Sequence, residues 1–118
     1  MSATNLKLRS PHFKSVKVTA PSAGYTAGQM VKIEDTVGVI VETKTSGNNT
    51  ALIYECEKIV VPKATGVTFA IGDKVYFDSS AAKITSVASG NTLCGRANAV
   101  GASSDTTLEI SLLGNAAA

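Results

Sequence analysis

The sequence predicts an all-β fold, a small antiparallel β-barrel or sandwich with a flexible N-terminal arm, and three observations carry that prediction. Val, Ile and Thr together supply 32 of 118 residues, and β-branched side chains suit a pleated, half-buried surface. Apolar and polar residues alternate with a period of two along several short runs, the signature of a sheet with one face covered. Clusters of Gly, Pro, Ser and Asn separate those runs every ten residues or so, as the turns of a sandwich or barrel do.

The runs follow one another in order. Val16, Val18 and Ala20 alternate with Ser15, Lys17 and Thr19, and Val31 and Ile33 with Lys32 and Glu34. Leu52, Tyr54 and Cys56 alternate with Glu55 and Glu57; Val75 and Phe77 oppose Lys74, Tyr76 and Asp78; Leu108, Ile110 and Leu112 oppose Glu109 and Ser111. Val31, Ile33, Val75, Phe77, Leu108 and Ile110 are therefore expected inside. Helical periodicity is confined to Arg96–Ala102, where the Ala-rich composition predicts one short turn. Residues 25–40 and 69–84 echo each other at a spacing of 44: Tyr25, Gly28, Val31, Ile33, Glu34 and Ile40 align with Phe69, Gly72, Val75, Phe77, Asp78 and Ile84. Two readings stay open, a pair of related hairpins or the ordinary likeness of any two glycine-opened hairpins.

At 12.1 kDa the chain has the size of one domain, which buries roughly two-thirds of its unfolded surface and needs no staples. The expected division is an arm over residues 1–12 and a single β domain over 13–118. In the arm, Leu6 and Leu8 alternate with Lys7 and Arg9 before Pro11 interrupts the pattern. That is strand periodicity without a hairpin mate. Leu6, Lys7, Leu8, Arg9, His12 and Phe13 are accordingly the candidate contact residues for a neighbouring chain. A frayed tail is the alternative.

Composition argues against several functions. Charged residues make up 17% of the chain and the net charge is +2; the basic stripe through which a nucleic-acid binder collects phosphates is missing, so no nucleic-acid partner is expected. No run approaches the ~20 apolar residues of a membrane helix, and no apolar segment follows a charged start as in a secretory signal. Neither a membrane partner nor export is expected, and synthesis is assigned to a cytoplasm. Cys56 and Cys94 stand apart in strand-like runs, which predicts two buried free thiols rather than a metal pair or a disulfide.

Chemistry is hard to build from this inventory. One histidine, His12, beside Pro11 near a terminus, offers no oriented base. The carboxylate pairs Glu34–Asp35 and Glu55–Glu57 fall in a turn and on an outward strand face, where solvated polar surface explains them. Gly90-Asn91-Thr92-Leu93-Cys94-Gly95-Arg96-Ala97 has the glycine spacing of a phosphate loop. It carries Arg96 and Ala97 where that loop needs Lys and a hydroxyl residue, so a strand entered by a turn is the better reading. No catalytic, cofactor or metal site is expected, and the chain is read as a non-enzyme.

A resemblance adds to this. Ala27-Gly28-Gln29-Met30-Val31, Val37-Gly38-Val39, Ile59-Val60-Val61-Pro62-Lys63, Gly72-Asp73-Lys74-Val75-Tyr76-Phe77-Asp78, Lys83-Ile84-Thr85 and Asn91-Thr92-Leu93-Cys94-Gly95-Arg96-Ala97 follow one another, closing on the strand Leu108–Leu112. Over residues 13 to 113 this order resembles the capsid decoration, or cement, proteins of tailed bacteriophages, formerly a domain of unknown function. The Gly-Asp-x-Val-Tyr-Phe-Asp block and the Leu-x-Gly-x-Ala strand are its most specific parts. The chain departs from the family at Lys58-Ile59-Val60, where a Gly-Val-Phe run is common. Some members carry a recombinase label, which the failed phosphate loop contradicts here. The resemblance implies a structural protein on the outer surface of a phage head that stabilises the shell. It further implies the major capsid protein as partner and self-association into a homotrimer, with a dimer as runner-up. The competing class is a small β-barrel that recognises a glycan or host surface, which would gather exposed aromatic side chains on one face.

Overall fold

The computed structural model of the chain describes residues 13–34 and 36–113. Eight strands are present: β1 (Phe13–Thr19), β2 (Met30–Ile33), β3 (Thr36–Ile40), β4 (Asn49–Pro62), β5 (Lys74–Asp78), β6 (Lys83–Thr85), β7 (Thr92–Ala97) and β8 (Thr107–Leu113). They form one antiparallel sheet in the order β2-β3-β4-β8-β7-β5-β6, with β1 added on β4. The all-β expectation holds. The short helical turn expected over Arg96–Ala102 does not form: Arg96 and Ala97 end β7, where Ala97 pairs with Ile110 of β8. Ladder pairing outweighs the weak helical preference of a few alanines.

β4 organises the molecule. Ile53 pairs with Ser15 of β1 on one side and Val39 of β3 on the other, and Glu55 pairs with Lys14 of β1 and Leu113 of β8. One edge of β4 thus carries β3 and then β8, and the opposite edge carries β1 along its first half. Near the far end of that second edge, a parallel Lys63–Ile84 bridge and the Ala64 N–H to Ile84 carbonyl bond of 2.9 Å bring β6 back to β4. The second half of β4, β8, β7, β5 and β6 therefore curl into a nearly closed barrel, the arrangement that leaves fewest bare edges.

The interior follows the alternation where a second layer exists. Val75, Phe77, Leu108 and Ile110 are buried as expected, with Ile59, Ile84, Cys94 and Leu112 around them. Val31 and Ile33 are not core residues but half-buried. Their strand is the last in the sheet order, and its buried member is Met30, one residue earlier. Val16 and Val18 also miss the interior: Val16 is 47% exposed and Val18 half-buried.

The 44-residue echo has a structural basis. Gly28 and Gly72 adopt φ of 86° and 89°, in the left-handed region that glycine enters freely. Each sits in a turn closed by a backbone bond three residues back, Gln29 to Thr26 at 2.9 Å and Asp73 to Ala70 at 3.1 Å. Each turn is also capped by the side chain of its last residue: Gln29 Oε1 accepts from Thr26 N–H at 2.9 Å and Asp73 Oδ2 from Ala70 N–H at 2.8 Å. The hairpins they open, β2–β3 and β5–β6, differ in burial.

Candidate functional site

The sequence motifs that stand out locally prove to be parts of the scaffold. In the Gly72–Asp78 block, Gly72 makes the turn, Asp73 caps it, and Val75 and Phe77 enter the core. Asp78 Oδ1 accepts bonds from Ser80 N–H at 3.0 Å, Ser80 Oγ at 2.7 Å and Ala81 N–H at 3.3 Å. The Ser80 hydroxyl, with those amides, holds the Asp78 carboxyl below its ordinary range. In the β7 block, a Cβ on Gly95 would lie 2.0 Å from the Ser111 carbonyl oxygen of β8, so only glycine lets the two strands approach. Arg96 is exposed and donates from Nη1 to the Gly72 carbonyl at 3.2 Å. Gly90 opens a turn into a strand, with no helix behind it to receive a phosphate.

The Pro62-Lys63 pair is also structural. Lys63 is 0% exposed, and its Nζ donates to the Ala64 carbonyl at 2.9 Å and the Asp105 carbonyl at 3.2 Å. A buried ammonium held by carbonyls ties the loop after β4 to the loop before β8, at one pole of the barrel. The family motif includes this lysine, but nothing in the local alternation marked it as buried, because a lysine next to a proline reads as surface. At the same pole Ile71 and Val100 are each 71% exposed, on loops joined by the Phe69–Gly101 bridge.

Both cysteines are buried free thiols. Burial pushes Cys94 up to about 12. It also raises Cys56, helped by the neighbouring Glu57 charge; the Cys56 thiol donates to the Lys58 carbonyl at 3.4 Å. Neither is a thiolate poised to react.

Of the candidate contact residues, Leu6, Lys7, Leu8, Arg9 and His12 lie outside the described residues, as does Asp35 of the Glu34–Asp35 pair. Phe13 is described: it begins β1, pairs with Cys56 and is 47% exposed. It lines a groove of about 720 Å³ with Lys14, Glu55, Glu57, Leu112 and Leu113. Lys14 and Glu55, both of which line the groove, form an ion pair of 3.6 Å. The groove floor includes a bulge between Cys56 and Ile59, pinned where the Glu57 carbonyl accepts from Ser111 Oγ and from Asn98 Nδ2, each at 2.9 Å. Among the described residues no three His, Cys, Asp or Glu side chains are grouped to hold a metal ion.

A family model described as phage cement protein matches residues 10–112. The chain belongs to the phage cement protein family. The match covers all eight strands except the last residue of β8 and begins before Phe13, three residues further toward the N-terminus than the motif resemblance alone. No curated protein and no solved structure matches the chain. Membership assigns a structural role at the phage capsid and points away from catalysis. A glycan platform finds little support: Phe69 and Phe77 are in the core and Tyr25, Tyr54 and Tyr76 are half-buried. That leaves Phe13 as the exposed aromatic among the described residues.

The distribution of charge is less even than its total suggests. The first 33 residues hold five basic side chains (Lys7, Arg9, Lys14, Lys17 and Lys32) and no acidic one, whereas the remaining 85 hold six basic and nine acidic. Sparse spacing hides this bias from a search for basic runs.

Proposed function

We propose that this protein binds the outer surface of a tailed-phage head and stabilises the shell, after synthesis in the host cytoplasm. The family match over residues 10–112 carries the reading. The scaffold is consistent with it, because the family-specific Gly72–Asp78 and β7 motifs are spent on turns and close strand packing. Residues 13–118 act as one β domain on this reading, and residues 1–12 as an arm. The arm's Leu6 and Leu8 bury apolar surface against the major capsid protein, with Lys7, Arg9, His12 and Phe13 beside them. Apolar burial contributes about 25 cal/mol per Å², and a trimer on or near a local three-fold axis multiplies it through avidity. A dimer is the second choice of assembly.

The test uses heads of the parent phage assembled without this protein. Added protein is expected to co-sediment saturably and to raise the temperature at which the heads open. Failure to bind overturns the reading. Deleting residues Met1–Ser10 is expected to weaken binding sharply and leave the melting of the free protein unchanged; full binding by that variant moves the contact to the barrel. Sedimentation of a strict monomer, free and on the shell, excludes the trimer.

A further inference from the structure

We infer that the outer edge of β1 is a docking edge for an extended, acidic segment of another protein, and not for a second copy of this chain. The inference rests on the capsid-binding reading and adds which edge is used and what it selects.

Among the described residues β1 pairs only with β4. Ala20 N–H donates to the Asn48 carbonyl at 2.8 Å and the Ala20 carbonyl accepts from Gly47 at 3.0 Å, so the polar groups of Ala20 face the β4 side. Backbone groups alternate sides along a strand. Those of Val16 and Val18 therefore also point to β4, and those of Ser15, Lys17 and Thr19 point away from it. That outer row is a template for one more strand.

Proteins commonly guard bare edges with lysine, and Lys14 and Lys17 do so here. A guard alone, however, does not account for the apolar side chains left open on the same strand, Phe13 and Val16, each 47% exposed. Charge then selects the occupant. β1 carries two lysines and no acid, and the 12 residues before it add Lys7 and Arg9. A second β1, or the N-terminal segment of a neighbouring copy, would set cations against cations, and like charges across a strand pair oppose pairing. Lys14 already has Glu55 at 3.6 Å, whereas Lys17 has no ion-pair partner among the described residues. An incoming strand with acidic side chains satisfies the backbone row and the free charge together.

The test separates backbone from side chain at one residue. Lys17→Ala removes the charge and keeps the amide; Lys17→Pro also removes an amide that points away from β4, a place where an edge strand tolerates proline. Both are measured by co-sedimentation with parent-phage heads assembled without this protein. Lys17→Pro is expected to bind at least roughly tenfold more weakly than Lys17→Ala, with the free proteins melting alike. Lys17→Glu, which keeps the amide and the fold, is expected to bind more weakly than Lys17→Ala. Added salt should loosen wild type more than Lys17→Ala. Equal binding by all three variants overturns the inference while leaving the capsid reading intact. So does a concentration-dependent dimer of free wild type that Lys17→Pro abolishes, because a second copy would then hold the edge. Wild type that ignores the heads overturns the capsid reading and this inference with it.

Discussion

β8 and β1 are both seven-residue strands with alternating apolar side chains, and both pair with β4. Leu108, Ile110 and Leu112 of β8 are buried, whereas on β1 Val16 is exposed and Val18 only half-buried. The difference lies in their neighbours: β8 has a strand on each side and the barrel interior beneath it, while among the described residues β1 has β4 alone. Period-two alternation marks a face that prefers to be covered. Whether it is covered within the chain depends on a second layer that local sequence does not specify. The two hairpins 44 residues apart teach the same lesson, with identical turns, a buried Val75 and Phe77 in one, and a half-buried Val31 and Ile33 in the other.

If the barrel is the scaffold and β1 the reactive edge, substitutions should divide accordingly. The largest loss is expected from Phe77→Ala, about 3–5 kcal/mol of stability, read as a lowered denaturant midpoint. Lys63→Met comes next: it leaves the Ala64 and Asp105 carbonyls without their buried donor, at about 1–3 kcal/mol. Unchanged melting would mean that water replaces the ammonium and that this pole is open.

A pH-dependent effect should appear on the alkaline side. The folded Cys94 thiol stays protonated up to about 12 while an unfolded thiol ionises from 9.0. Its contribution is complete below 9.0 and declines as pH rises from there toward about 12. Cys94→Ala should flatten that part of the stability–pH curve relative to wild type, and an equal decline in both would assign it to other groups. The smallest effect on stability belongs to β1. Val16→Thr keeps the branched side chain on an exposed site and should shift stability by no more than about 0.5 kcal/mol. A shift as large as that of Phe77→Ala would show that β1 belongs to the core.

Much of the scaffold was legible from residue types alone. Val75, Phe77, Leu108 and Ile110 declared themselves by alternation, and Cys94 by its place in an apolar run. The glycine turns at 28 and 72 were visible as an echo, although not as one shared conformation. Lys63 was hidden, because its burial depends on carbonyls contributed by Ala64 and by Asp105, 42 residues further on. The edge of β1 was hidden for a related reason. A lysine-bearing alternating strand reads as an ordinary half-buried one until the sheet order shows that nothing among the described residues lies beyond it.

The most direct test of scaffold against edge is amide hydrogen exchange, comparing the free protein with the protein bound to parent-phage heads. The account predicts that the amides of Ser15, Lys17 and Thr19 exchange fast when free and become protected on the heads, while those of β7 and β8 are protected in both. Protection gained instead on the loops carrying Ile71 and Val100, with residues 13–19 unchanged, would contradict it and move the docking surface to the opposite pole of the barrel.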